Sequence, residues 1–254
     1  MNSTPNYSQL AKEVRRDVLS LIHKGHTSHV ASCLSLTDIA IVLYENLKPE
    51  DEVIFSKGWA SALYYILNIR KGKLNREEVF SIFPNAPYLA LLEPPVHPVA
   101  TGAVGHGTPF SVGLAMAKKM KGEGGTVYCI LSDGELNEGT VWESVQLAKH
   151  HKLDNLVFII DKNNWQAMGK TEDVVSLNIA EAFGGFGWDV IGVDGHDYTP
   201  LEWAIQTQKR EDIPRVIVAH TIKGKGVSFM ENHLTFHYRH VDDETYSKAL
   251  AELQ

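Results

Sequence analysis

Two apolar runs flank a helical pattern in the middle of the chain. The runs are residues 126–131 (TVYCIL) and 155–160 (NLVFII), and residues 137–151 between them have helical spacing. Each run has the length and residue types of a buried parallel strand. The pattern therefore predicts a β-α-β unit with polar residues at the carboxyl end of each strand.

The same reasoning assigns the remainder of the chain. Further strands are predicted at residues 51–56, 188–193 and 215–219, and helices at 7–23, 60–70 and 201–209, with two more starting near Leu36, capped by Ser35, and near Pro109. Residues 81–99, with five prolines, predict an irregular surface excursion. We expect an α/β fold in one domain, residues 1–254: a doubly wound, mostly parallel sheet with helices on both faces.

Polar side chains directly follow the two central strands. Asp133 and Gly134 come after the first strand, and Asn163 follows the second. Ligands bind at the carboxyl edge of an open α/β sheet, so Asp133 and Asn163 should converge there. A carboxylate and an amide oxygen suit Mg²⁺ or Ca²⁺ with open positions for phosphate oxygens, and glycine allows close approach of the backbone. The residues predict a site for a metal-bound diphosphate.

These motifs resemble a known family. SDGELNEG and KNNWQAMGKTEDV resemble the thiamine-diphosphate signature of transketolases, with Ser132 where the family usually has glycine. HVASCLSLTDIAIVLY, FSKGWASALYYIL, ATGAVGHGTPFSVGLAMAKK, FGWDVIGVDGHDY and HTIKGKGVSFMENHLTFHYRH continue the similarity over most of residues 17–253. The resemblance implies the diphosphate-binding domain of the thiamine-diphosphate-binding fold.

The resemblance also implies residue roles. Three residues would act in catalysis: His29, Glu138 and His237. The metal, Mg²⁺ or in its place Ca²⁺ or Mn²⁺, would be held by Asp133, Asn163 and the main-chain oxygen of Trp165. Thiamine diphosphate would contact a larger set: His29, Gly102, Val104, Asp133, Gly134, Glu135, Asn163, Ile222 and His237.

Several of these residues have a plainer interpretation from the sequence alone. His29 could be a solvated loop residue, and Glu138 could be an acid favoured by the helix dipole rather than one that reaches a neighbouring subunit's site. The turn at residues 194–197 could line the cleft or cap a helix. His97 is interpreted as a polar loop residue. A zinc site among His233, His237 and His240 is rejected, because their spacing fits no tetrahedral signature and no cysteine joins them.

Besides Ser132, four positions depart from the family pattern. Trp59 stands where relatives have histidine, His106 replaces glutamine, and Tyr238 and Arg239 replace Gly-Lys. An indole offers one donor, no acceptor and no titration, so substrate preference should differ at Trp59. Arg239 would either hold a substrate phosphate bidentately or be solvated.

Composition and charge exclude several classes of partner and location. The chain has 254 residues, 44% of them hydrophobic, enough for a substantial core. A net charge of −7 without a basic cluster argues against binding to nucleic acid or an anionic membrane. Cys33 and Cys129 lie in apolar context and predict no disulfide. With no apolar run of about 18 residues and no signal-peptide pattern, we expect a cytoplasmic protein.

The resemblance covers the amino-terminal third of a transketolase. It implies the amino-terminal subunit of a split transketolase, which moves a two-carbon ketol unit from a ketose phosphate to an aldose. The chain would be active only with a carboxy-terminal, pyrimidine-binding subunit, as a dimer or heterotetramer. The alternatives are the α subunit of a 2-oxoacid dehydrogenase and a non-catalytic thiamine-diphosphate-binding subunit.

Overall fold

The structure, a computed structural model, describes residues 5–83, 92 and 94–254. Its main sheet contains five parallel strands: β1 (Glu52–Phe55), β2 (Val127–Ser132), β3 (Leu156–Lys162), β6 (Asp189–Asp194) and β7 (Arg215–His220). Their order across the sheet is β1-β2-β3-β7-β6. A small antiparallel pair, β4 (Trp165–Gln166) and β5 (Gly169–Lys170), follows β3.

Helices surround the sheet. They are α1 (Tyr7–Gly25), α2 (Val30–Asn46), α3 (Ser61–Arg70), α4 (Arg76–Ile82), α5 (Gly107–Lys121), α6 (Gly139–His150), α7 (Thr171–Val174), α8 (Ile179–Gly185), α9 (Tyr198–Gln206), α10 (Thr235–Tyr238) and α11 (Asp243–Glu252). In the part of the chain that the structure describes, no helix has the length and apolar content needed to cross a membrane.

The strands bury alternate side chains on opposite faces of the sheet. In β2, Tyr128 and Ile130 join an apolar cluster with residues of α1, α2, α3 and α9. Cys129 and Leu131 join a second cluster with residues of α5, α6 and α8. Since side chains alternate along a strand, one sheet contributes to both clusters. The predicted parallel sheet with helices on both faces is confirmed.

The strand register brings the polar ends together. Ser132 of β2 lies opposite Asp161 of β3, and Lys162 of β3 lies opposite His220 of β7. The residues that follow β2, β3 and β7 therefore leave the sheet at one edge, as the sequence predicts for β2 and β3.

The start of α2 corrects a sequence prediction. The helix begins at Val30, not near Leu36, and Ser35 is a buried helical residue rather than the N-cap. His29 precedes the helix with a positive φ of 67°. Residues 30–44 are all buried, so other elements pack against every side of this helix. The small side chains that suggest a loop in the sequence instead allow these elements to pack closely. By contrast, α5 begins at Gly107, close to the predicted start near Pro109.

His97 is a loop residue, as interpreted from the sequence, but it is not exposed to solvent. Its side chain is fully buried; Nε2 accepts a hydrogen bond from the backbone N–H of Phe55 at 3.1 Å, so Nδ1 donates to the carbonyl of Val99 at 2.6 Å. The imidazole thus ties the end of the predicted excursion to β1. Residues 84–91 and 93 of that excursion lie outside the described residues.

The close approach of α5 to the end of β1 gives a stability prediction. A Cβ at Gly107 would lie 2.4 Å from Ser56 Cβ and 2.5 Å from Ser56 Cα, whereas a Cβ at Gly113 of the same helix meets no atom within 4 Å. Gly107→Ala should lower the free energy of unfolding by about 1–3 kcal/mol through overpacking. The matched Gly113→Ala should raise it by about 0.5–1 kcal/mol. Urea denaturation measures both, and equal effects would contradict the close approach.

Candidate active site

The edge at which the strands end forms a cavity of about 340 Å³. Its lining comes from six parts of the chain: the start of α2, the turn after β1, the loop before α5, the end of β2 with the chain after it, the chain after β3, and the chain between β7 and α11. The residues are His29, Ser32, Lys57, Trp59, Val104, Ser132, Gly134, Glu135, Glu138, Asn163, Trp165, Gln166, Ala167, Met168, Lys223, His237 and Tyr238.

A buried ion pair lies at the floor of this cavity. Lys57 Nζ is 2.5 Å from Asp161 Oδ2 and also donates to the Ser32 carbonyl at 3.0 Å. Ser35 and Thr221 donate hydroxyl hydrogen bonds to the same carboxylate. Burial alone would raise the pKa of Asp161, but the charge of Lys57 and these hydrogen bonds hold it below its usual value. Asp161 is therefore an anion at neutral pH.

Lys223 supplies a second buried cation. Its side chain is 1% exposed, and Nζ lies 2.9 Å from Nδ1 of His237. Burial, with the nearby charge of Lys57, lowers the pKa of Lys223 to about 8. Two ammonium groups thus share a floor in which Asp161 pairs directly with only one of them, an arrangement that attracts an anion.

Lys223 also determines the tautomer and the charge of His237. An ammonium group can only donate, so Nδ1 accepts and the ring proton of the neutral imidazole is on Nε2. Burial and the charge of Lys223 lower the pKa of His237 to about 3. His237 is consequently a neutral donor through Nε2 at physiological pH.

His29 lies beside His237, with ring centroids 4.9 Å apart. Its backbone N–H donates to the carbonyl of His237 at 3.1 Å, and Nδ1 lies 2.7 Å from the Ser28 hydroxyl. Burial, followed by the charges of Lys223 and Lys57, lowers the pKa of His29 to about 4. Its left-handed backbone, sparsely populated by non-glycine residues, is held by these contacts.

Aromatic rings continue from His29 to the cavity mouth. The indole of Trp59 stacks on the imidazole at a centroid distance of 4.5 Å and an interplanar angle of 21°. The Tyr238 ring meets His29 edge-on at 5.5 Å. Trp59 remains 37% exposed, so its indole forms part of the cavity wall.

Asp133 and Asn163 occupy the ends of adjacent strands. Asp133 accepts from the backbone N–H groups of Gly134 at 3.0 Å and Asn164 at 2.6 Å, and Asn163 Oδ1 accepts from that of Trp165 at 3.1 Å. Burial and the nearby charge of Asp161 raise the pKa of Asp133 to about 7. A buried carboxylate beside another anion is the chemistry that a bound cation stabilises.

Among the described residues, no cluster of three or more His, Cys, Asp or Glu side chains is arranged to hold a metal ion. Asp133 and the amide oxygen of Asn163 would therefore share a hard cation with oxygen ligands from elsewhere. Phosphate oxygens of a ligand are the usual complement to one or two carboxylates around Mg²⁺. The donor set fits a metal diphosphate rather than a closed protein metal site.

The geometry gives Glu135 a contact that the sequence did not reveal. Its fully buried carboxylate accepts from the Ser56 hydroxyl and from the backbone N–H of Gly105 at 3.0 Å. Burial raises the pKa of Glu135 to about 7, although these bonds oppose the shift. Glu135 thus joins the end of β1 to the glycine-bearing loop that carries Val104.

Most sequence-predicted site residues line the cavity, but three do not. Asp133 lies beneath it and borders a neighbouring pocket, and Gly102 and Ile222 are outside its lining. The N–H of Ile222 donates to Nε2 of His196, whose Nδ1 therefore donates to Asp38. His196, in the turn interpreted as either lining or capping, holds the chain after β7 in place.

The sequence analysis did not predict Lys57 and Lys223 as site residues, although the position of Lys57 in the sequence could have indicated it. Lys57 is the second residue after β1, at the same sheet edge as Asp133 and Asn163, so strand position alone could have identified it. Lys223 comes three residues after β7 in a basic glycine-bearing loop, and nothing in the sequence indicates that this ammonium is buried.

Comparison with known proteins agrees with this geometry. Residues 7–251 match the family model described as transketolase, thiamine diphosphate binding domain. The chain is 34% identical over 260 residues to an apulose-4-phosphate transketolase subunit of Phocaeicola vulgatus, covering 94% of this chain and 90% of the relative. It is 32% identical over 265 residues to a 6-deoxy-6-sulfo-D-fructose transketolase subunit of a Clostridium species, covering 96% and 94%.

Solved structures show the same fold. A transketolase from Campylobacter jejuni superposes with a TM-score of 0.89 at 29% sequence identity, over 99% of this chain. The chain spans 43% of that protein's length. It is thus similar in length to the two relatives that are single transketolase subunits, and shorter than the solved transketolase.

Proposed function

The chain belongs to the transketolase family through its thiamine-diphosphate-binding domain, and from that membership we propose that it is the cofactor-binding subunit of a two-chain transketolase. The assembled enzyme transfers a two-carbon ketol unit from a ketose phosphate to an aldose acceptor. The observation that carries the proposal is the cavity in which two buried ammonium groups, two neutral histidines and Asn163 converge, with Asp133 at the end of the adjacent strand.

The residues present fit thiamine diphosphate and a divalent metal. Lys57 and Lys223 supply positive charge for the diphosphate, and Gly134 lets the main chain approach it. Asp133, Asn163 and the main-chain oxygen of Trp165 would hold Mg²⁺. Bound thiamine diphosphate would supply the carbon nucleophile that carries the two-carbon unit.

The histidines would handle protons at the substrate end. His237 presents a ring N–H on Nε2, which can donate to an oxygen of the cofactor or ketose. His29 is neutral because its pKa is lowered to about 4. Its imidazole can therefore accept a proton from a ketose hydroxyl without first having to lose one. Val104 and Glu135 shape the surrounding wall, and Glu138, which also lines the cavity, would face the partner subunit. Gly102 and Ile222, outside the cavity lining, would contact the cofactor only where it extends beyond the cavity.

The two rival functions differ in what they predict. The family match and the relatives favour transketolase over the α subunit of a 2-oxoacid dehydrogenase. A non-catalytic subunit would bind thiamine diphosphate without contributing to turnover, so kinetics of the assembled pair separates it from an enzyme subunit.

The deciding experiment is reconstitution. The purified chain alone should show no ketol transfer, because the glutamate that activates the aminopyrimidine would come from the pyrimidine-binding subunit. Activity should appear on addition of that subunit, whose gene would be sought next to the gene of this chain. Turnover by the single chain would disprove the need for a partner, and an inactive but cofactor-bound complex would favour the non-catalytic alternative.

The proposed metal ligand gives a second prediction. Asp133→Ala should abolish Mg²⁺-dependent retention of thiamine diphosphate by the reconstituted complex, because it removes the one carboxylate in the proposed ligand set. Titration calorimetry measures the affinity with Mg²⁺ and with a chelator. Asp173→Ala, which removes an exposed carboxylate on α7, is the control and should bind as wild type. Unchanged cofactor affinity in Asp133→Ala would disprove the assignment.

Trp59 gives a prediction about the donor. An indole on the cavity wall offers no acceptor, so a hydroxyl that donates to an imidazole in relatives needs another partner or is absent. Both subunit relatives described above are named for ketoses other than xylulose 5-phosphate. We expect the natural donor to differ from xylulose 5-phosphate in shape or substitution, and Trp59→His to shift relative kcat/KM toward xylulose 5-phosphate about tenfold or more.

Steady-state kinetics on a panel of ketose phosphates tests this prediction. Trp203→His makes the same exchange at an exposed site on α9 outside the cavity and should leave the donor ranking unchanged. Cofactor affinity should stay within a few fold in both variants. A wild-type preference for xylulose 5-phosphate, with the same ranking in Trp59→His, would show that the indole serves packing alone.

A further inference from the structure

Among the described residues, one buried amide nitrogen of the cavity lining lacks a hydrogen-bond partner. In the described part of the chain, four buried side-chain nitrogen or oxygen atoms have none: Arg15 Nε, Thr101 Oγ1, Asn155 Oδ1 and Gln166 Nε2. Of their residues, only Gln166 belongs to the cavity lining. A buried donor without an acceptor is unfavourable, so the Gln166 amino group marks a place where a ligand acceptor would be stabilised.

The other end of the same amide is already engaged. Gln166 Oε1 accepts a hydrogen bond from Asn137 Nδ2 at 3.1 Å. Because this bond uses the carbonyl oxygen, the amino group is directed elsewhere and keeps two N–H donors for another partner. Asn137 therefore orients the amide of Gln166.

Gln166 also lies directly against the acidic turn. A Cβ added at Gly134 would come within 2.8 Å of Gln166 Cβ and 3.2 Å of Oε1. The absence of a side chain at Gly134 is what allows this contact. The Gln166 side chain is consequently next to the turn that carries Asp133, whose carboxylate we propose as a metal ligand.

The two buried lysines of the cavity indicate which kind of acceptor Gln166 Nε2 would bind. Lys57 and Lys223 favour an anionic ligand, and the oxygens of a diphosphate are strong acceptors that can take a neutral N–H donor in addition to charged ones. We propose that Gln166 Nε2 donates a hydrogen bond to the diphosphate of the bound cofactor, which makes Gln166 a cofactor-binding residue oriented by Asn137. This inference rests on the proposed function, since it takes the diphosphate as the ligand.

Two substitutions test the donor. Gln166→Met keeps the length of the side chain and removes the amide, and should weaken binding of Mg²⁺–thiamine diphosphate about tenfold. Gln166→Glu keeps the shape but replaces the donor by an anionic oxygen, and should weaken it more. Titration calorimetry would be run on the full chain alone and with its partner subunit, using Mg²⁺–thiamine diphosphate and Mg²⁺–inorganic diphosphate as separate probes.

The probes and a control make the outcomes decisive. Gln9→Glu, an equal charge change on an exposed part of α1, should bind both probes as wild type. If both cavity variants also bind both probes as wild type, the amide does not serve the diphosphate and the inference is wrong while the proposed function stands. Weakened thiamine diphosphate binding with unchanged inorganic diphosphate binding would likewise refute the assignment. A wild-type chain that binds neither probe, alone or with the partner, would overturn the proposed function as well.

Discussion

The buried pair of Lys57 and Asp161 is the contact on which the candidate site depends. It joins the chain after β1 to β3, and the hydroxyl groups of Ser35 and Thr221 connect α2 and the chain after β7 to the same carboxylate. A buried pair of this kind contributes little net stability compared with apolar packing, but loss of one partner costs about 3–5 kcal/mol. Its role is thus to place four chain segments around one point at the sheet edge.

The charge balance at that point explains the state of the histidines. With the two ammonium groups of Lys57 and Lys223 close by, a protonated imidazole would add a third positive charge in a region that water hardly reaches. His29 and His237 consequently stay neutral, and Lys223 determines which nitrogen of His237 carries the proton. In the proposed function the cavity would therefore separate two tasks: fixed cations would hold an anion beside Lys57 and Lys223, and the neutral imidazoles of His29 and His237 would transfer protons.

The sheet could be predicted from the sequence, but the burial of the charged residues at the base of the cavity could not. Continuous apolar runs identify β2 and β3, and the polar residues after them must meet once the strands are parallel, which the register of Ser132 with Asp161 confirms. The start of α2 could not be predicted, because its small residues favour a helix only when other elements bury it. The burial of His97 and Lys223 likewise results from tertiary packing, which has no local signature in the sequence.

The rim of the cavity bears on the proposed need for a partner. Trp59, Val104, Met168 and Tyr238 line it with large apolar or aromatic side chains that are exposed, Met168 to 77%. Apolar surface of this kind around a polar cleft is typical of a region that another protein surface covers. A partner subunit over these four residues would also exclude water from the neutral imidazoles and strengthen every interaction with the floor. The proposed division of the enzyme into two chains would then place the proton-handling groups of one chain beneath a lid supplied by the other.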